Sequence, residues 1–113
     1  MATEMREPTV MVLASLADGA KHGYALIEET ERISEGRVRL KVGTLYAVLD
    51  RLEQEGLVHI VREETVNGRL RRYFDLTDAG ESRLAAEVER LEVTAREAKR
   101  RLALRPSFGG GVA

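Results

Sequence analysis

The chain of 113 residues has no cysteine and no tryptophan, and only two histidines and two prolines. Without a thiol, disulfides, thiolate zinc sites and cysteine nucleophiles are all excluded, and the composition fits a reducing compartment. His22 and His59 lie 37 residues apart and neither is flanked by a carboxylate pair, so a metal centre or a histidine-driven hydrolase has little to build from. A structural role is the expectation for both. No apolar run approaches the roughly 18 to 20 residues that cross a membrane. The opening MATEMREP does not read as a basic region leading into an apolar one, as a secretory leader would. The expectation is a cytoplasmic protein without membrane contact. Aromatic residues are scarce as well, comprising Tyr24, Tyr46, Tyr73, Phe74 and Phe108. No nucleophile–base pair or phosphate-cradling glycine loop stands out, the triplet at 109–111 being a tail, so neither an enzyme nor a bound cofactor is expected.

What the chain does have is charge, unevenly distributed. The totals nearly cancel, with 18 basic and 19 acidic residues. Residues 1–35 nevertheless hold 3 basic and 7 acidic side chains, residues 36–72 hold 8 and 5, and residues 73–113 hold 7 of each. Positive charge therefore gathers in the middle third, as in a chain that meets a polyanion with one region only. Fifteen of the basic residues are arginine, the side chain suited to bidentate pairing with phosphate or guanine, although codon bias produces the same excess.

Periodicity gives the elements. TVMVLASLA, Thr9 to Ala17, follows Glu7-Pro8 and ends at Asp18-Gly19. It reads as a helix apolar nearly all round, with a contact beyond its own domain expected through residues such as Met11. KHGYALIEETERI gives a second helix whose apolar set is Tyr24, Leu26, Ile27 and Ile33. RVRL, Arg37 to Leu40, alternates and suggests a short strand. A third helix runs through KVGTLYAVLDRLEQ, with Leu45, Val48, Leu49 and Leu52 on its core face and Thr44, Tyr46, Ala47, Asp50, Arg51 and Gln54 outside. Two β-leaning runs, Leu57 to Arg62 and Leu70 to Leu76, flank Asn67-Gly68, a hairpin-turn dipeptide. From Thr77-Asp78 onward Leu84, Val88, Leu91, Ala95, Ala98 and Leu102 recur at alternating intervals of four and three. That is a heptad seam, on a helix too long to bury it against so small a domain. A second copy of the chain is the simplest cover.

Three helices followed by a β-hairpin make the winged form of the helix-turn-helix. The expected architecture is mainly α with a small β-hairpin: a winged helix-turn-helix domain over residues 1–76, a dimerisation helix over 77–104, and a disordered tail over 105–113. In such a fold the third helix enters the major groove. Arg39 and Lys41 stand just upstream of its first turn, Gly43, Thr44 and Tyr46 lie at its start, and Gly43 lets a phosphate or base edge approach the backbone. Arg51 lies two turns further in, and Arg69, Arg71 and Arg72 lie on the hairpin. Each also has a plainer reading. Lys41 and Arg39 are solvated charges before a helix, Thr44 a cap, Tyr46 a packing residue against Tyr24, and Arg51 the partner of Glu55 four residues on. Glu63 and Glu64 repel phosphate unless they point away.

Three stretches, HGYAL (His22 to Leu26), VGTLYAVLDRLEQEGLV (Val42 to Val58) and NGRLRRYFDLTDAG (Asn67 to Gly80), resemble in that order the PadR-like transcriptional regulators. With the spacing between them they cover about residues 7 to 102. The resemblance implies a dimeric winged-helix repressor whose long C-terminal helix packs against its mate and against the partner's N-terminal helix. It also implies inverted-repeat operators in double-stranded DNA and, in many members, release by a small-molecule effector. Ala47, Lys41 and Val42 stand where many members carry proline, serine and proline, so base preference does not carry over. The chain also lacks the tryptophans that drug-binding members use at the dimer interface. The competing class is a winged-helix protein-interaction module, which would expose acidic or apolar residues on the third helix and hairpin tip. The positive middle third disfavours it.

Overall fold

The computed structural model describes residues 5–106, so most of the glycine-rich tail expected to be disordered lies outside the described residues. The order of elements is α1 (Glu7–Leu16), β1 (Lys21–His22), α2 (Gly23–Ile33), α3 (Val42–Gln54), β2 (Val58–Val66), β3 (Arg69–Leu76) and α4 (Asp78–Ala103). The strands form one antiparallel sheet in the order β1-β3-β2. Leu13 and Leu16 of α1, Leu26 of α2, Leu45, Leu49 and Leu52 of α3, Val58 of β2 and Phe74 of β3 close one core. Each fully buried leucine contributes about 1.5–3 kcal/mol over its exposed state. The predicted core face of α3 is thus the observed one, with Val48 half-buried beside it.

Two local readings are corrected. Arg37 to Leu40 form no strand. The amide of Val38 donates to Ser34 Oγ at 2.9 Å and that of Arg37 to the Ser34 carbonyl at 3.1 Å, so the chain folds back on a buried serine and these amides join no ladder. The third strand is instead Lys21–His22, which pairs with Phe74 and Tyr73. Tyr24 does not belong to the apolar set of α2, being 67% exposed. On the helical wheel it shares a face with Glu28 and Glu31, whereas Leu26 and Thr30 face the core.

The hairpin is longer than its apolar runs suggested, because the turn at Asn67 and Gly68 is tight. Both residues have positive φ, +52° and +77°, the pattern of a type I′ turn matched to strand twist. A bulge adds one residue to β2: Ile60 pairs with Phe74, but Arg62 pairs with Tyr73. Without the bulge Arg62 would stand opposite Arg72. With it, Glu63 faces Arg72 and Glu64 faces Arg71, so opposite charges meet across the strands.

α4 starts on Thr77, whose Oγ accepts from the Gly80 amide at 3.0 Å and donates to the Gly56 carbonyl at 2.6 Å. Gly80 itself lies against the backbone of Leu57, and a Cβ there would stand 1.9 Å from the Leu57 carbonyl oxygen. This contact seats the first turns of α4 on the body. Along the seam Leu84 is buried, but Val88, Leu91, Ala95, Ala98 and Leu102 are exposed, with Leu102 65% so. Met11 on α1 is half-buried.

Candidate nucleic-acid interface

The N-terminus of α3 is open. Lys41 occupies the cap position without a side-chain cap hydrogen bond, and Val42, Gly43 and Thr44 are exposed, so first-turn amides face outward at the positive end of the helix dipole. A Cβ built on Gly43 would meet nothing within 4 Å. Tyr46, on the same side, has its hydroxyl against Gly23, where a Cβ would lie 2.5 Å from that oxygen. Its ring meets Phe74 edge-on, centroids 6.4 Å apart. Tyr46 thus packs on Gly23 and the sheet rather than on Tyr24, and ties α3 to the start of α2.

The other predicted cations differ in how far they are engaged. Arg39 is loosely paired with Glu31 at 3.9 Å. Arg51 donates to Thr9 Oγ1 at 2.8 Å and approaches Glu55 at 3.9 Å, which makes it a brace between α3 and α1. Arg72 is held by Glu63 at 2.8 Å. Arg69 and Arg71 flank the turn on the opposite face of β3, the face of Tyr73. Glu64 is drawn aside by the Tyr73 hydroxyl, which donates to it at 2.6 Å, and Arg62 stacks 3.8 Å from the centroid of that tyrosine ring. The two wing carboxylates are therefore each engaged within the hairpin.

His22 links this cluster to α2. Its Nδ1 accepts the Ala25 amide at 3.4 Å, capping the helix, and its ring meets Tyr73 edge-on at 5.4 Å. Burial, and then the Arg71 cation, hold its imidazole below the ordinary value, while Glu64 and Glu28 pull the other way. Between the start of α2 and the hairpin tip lies a groove of about 440 Å³ lined by His22, Tyr24, Tyr46, Arg69, Arg71 and Arg72 among others, with no carboxylate in its lining. Exposed Tyr24 and Leu70 on this groove were not foreseen as surface residues of the site; the wheel position of Tyr24 beside Glu28 and Glu31 was the available signal.

A three-helix body whose third helix has an open, cationic first turn, flanked by a basic-tipped hairpin, defines a winged helix-turn-helix protein. The profile of the transcriptional regulator PadR-like family matches residues 12–86. Transcriptional regulator Rv3488 of Mycobacterium tuberculosis is 38% identical over 86 residues, covering 76% of this chain and 77% of that protein. The chain belongs to the PadR-like family of transcriptional regulators, which are not enzymes. Transcriptional regulator YqjI of Escherichia coli is 30% identical over 95 residues, 84% of this chain but 44% of the relative. Among solved structures, a PadR family transcription regulator from Clostridium difficile has a TM-score of 0.68 at 22% identity, covering 86% of this chain and 99% of its own. Bacillus subtilis PadR in complex with operator DNA has a TM-score of 0.66 at 21% identity, covering 74% and 47%. These two share the fold. Among the described residues no helix is long and apolar enough to cross a membrane.

Proposed function

We propose that the protein is a homodimeric regulator that binds an inverted-repeat operator in double-stranded DNA and represses transcription there. The observation that carries this reading is the carboxylate-free groove between the start of α2 and the wing, into which Arg69 and Arg71 bring charge and where Tyr46 of α3 joins the lining. Lys41, Gly43, Thr44 and Tyr46 meet base edges and phosphate at the helix mouth, and Arg69 and Arg71 meet the adjoining backbone. Arg39, Arg51 and Arg72 add charge already shared with Glu31, Glu55 and Glu63. In this division of labour residues 1–76 read DNA and residues 77–104 hold two copies together. Kinship with the family supports adding release by a small molecule and a cytoplasmic location to this reading. The complex of the B. subtilis relative with operator DNA supports the docking mode.

Fluorescence anisotropy on duplex from the protein's own upstream region and on a shuffled duplex, at two salt concentrations, tests the reading. The expected outcome is specific binding at least ~10³ tighter than non-specific. Equal binding to both that vanishes with salt would leave only a generic basic surface. No binding at low salt would overturn the DNA-binding reading in favour of a protein-interaction module.

A further inference from the structure

α3 turns Leu45, Leu49 and Leu52 into the core. The ridge directly opposite, at helical spacings of four and three, is Gly43, Ala47, Asp50 and Gln54, and all four are exposed. This ridge is what α3 presents furthest from the body. It begins with no side chain at Gly43, where an added Cβ would meet nothing within 4 Å. A methyl group follows at Ala47 and a carboxylate at Asp50. Among the described residues Asp50 has no hydrogen bond or ion pair. The other carboxylates of this half of the helix are placed differently. Glu55 approaches Arg51 at 3.9 Å, and Glu53 lies about 60° round the helix from Asp50.

We propose that Ala47 and Asp50 read base edges in the major groove, Ala47 a thymine methyl and Asp50 a cytosine amino group. The inference rests on the DNA-binding reading above and adds the bases that α3 selects. A free carboxylate brought against DNA is repelled by phosphate, and by guanine, which shows only the acceptors O6 and N7 in the major groove. Its oxygens accept and never donate, so it needs a donor. The groove offers two, the amino groups of adenine and cytosine. Adenine sets the acceptor N7 beside its amino group, an edge suited to an amide that accepts and donates. A carboxylate there gains one bond and meets one repulsion. Cytosine offers its amino group with no acceptor beside it on the same base.

Ala47 precedes Asp50 by three residues, about 4.5 Å along the axis at ~1.5 Å per residue. That is close to one base step of about 3.4 Å, so the two side chains address neighbouring base pairs. A methyl group with no polar atom finds its match in the thymine methyl. Such a short side chain reads only at close range, and the bare backbone at Gly43 lets the helix approach that far. Lys41, Arg69 and Arg71 hold the phosphates whatever the sequence, and Ala47 and Asp50 supply preference.

Selection of the full chain on a pool of duplexes with a randomised centre, followed by sequencing, tests the assignment. The parent is expected to enrich a half-site with cytosine at one position and thymine at a neighbouring one. Asp50→Ala should lose about tenfold of the cytosine preference while the other positions keep theirs, and Asp50→Asn should turn that preference to adenine. Asp50 is exposed and unpaired, so both variants are expected to fold as the parent does. On the enriched duplex, deoxyuridine in place of that thymine removes only the methyl group. It should weaken the parent about fourfold and leave Ala47→Gly indifferent. Each protein is compared with itself on the two duplexes, so any loss of helix stability from the glycine cancels. An enriched half-site without cytosine, or an Asp50→Ala profile identical to the parent's, overturns the role of Asp50. Equal sensitivity to deoxyuridine in the parent and Ala47→Gly overturns that of Ala47. Both results leave DNA binding intact, whereas a parent that enriches no sequence overturns the DNA-reading function itself.

Discussion

α1 and α4 are both helices with more apolar surface than a small domain needs, and they resolve it differently. α1 buries Val12, Leu13 and Leu16 within its own chain and leaves only half-buried residues such as Val10 and Met11 at its margin. α4 buries Leu84 and Glu87, then exposes every residue of its seam from Val88 to Leu102. An all-round apolar helix finds enough neighbours inside one fold. A narrow stripe on a helix of 26 residues, about 39 Å at ~1.5 Å per residue, outruns the body it starts from. A stripe that continues past the core therefore leaves more apolar surface open than an all-round apolar helix packed inside it.

The contrast breaks most completely where the body and α4 join. Glycine to alanine inside a helix ordinarily stabilises by about 1 kcal/mol. At Gly80 the sign is expected to reverse, because the new Cβ would stand 1.9 Å from the backbone oxygen of Leu57 and neither side is a flexible chain end. Gly80→Ala should cost about 3 kcal/mol or more, read from the urea midpoint, and any gain in stability would refute the close seating of α4. Leu91→Glu acts beyond that junction. It places a charge in the exposed seam, so sedimentation should show monomer while chemical unfolding of the monomer stays nearly unchanged. An intact dimer would remove the seam from the interface.

On the DNA side the same logic separates free from engaged charge. Arg69→Ala should weaken all duplexes alike and lower the log–log salt slope by roughly 0.9, the value of one lost phosphate contact. Arg51→Ala should instead cost about 1 kcal/mol of stability through its hydrogen bond to Thr9, with the slope little changed. Equal slopes in Arg69→Ala and the parent would take Arg69 out of the interface. A full unit lost in Arg51→Ala would mean the brace opens to reach DNA.

These pairings mark where reading the sequence reached its limit. The core face of α3, the turn at Asn67-Gly68 and the stripe on α4 each follow from a local period or a turn dipeptide, and these features stand in the fold. The bulge after Ile60 does not, because register is decided by two strands at once, and with it went the matching of Glu63 to Arg72. β1 escaped notice for a related reason: two residues have no period, and only the edge of β3 makes them a strand. Gly23 and Gly80 owe their close packing to Tyr46 and Leu57, neighbours distant in sequence and so outside any local pattern. The cationic mouth of α3 was readable from composition; which arginines were already paired was not.

The smallest effect concerns His22, which joins the start of α2 to the hairpin in the cluster proposed to face DNA. Its Nδ1 can accept the Ala25 amide only while it is unprotonated, and burial together with Arg71 keeps it so below the usual imidazole range. Because the folded chain holds this proton less readily than the unfolded chain, the contribution to stability is fully present above about 6.5. It is lost as pH falls through the depressed folded value. His22→Asn keeps an oxygen able to cap α2 and removes the titration. From pH 7 downward the parent is therefore expected to lose thermal stability faster than the variant until the imidazole is fully protonated, after which the two curves run parallel as the carboxylates titrate in both. Parallel curves over the whole range would show that the cap carries no net free energy. A parent that gained on the variant as pH fell would mean that Glu28 and Glu64 outweigh Arg71 around the ring, and that the cluster draws the start of α2 to the wing as a cation rather than as a neutral cap.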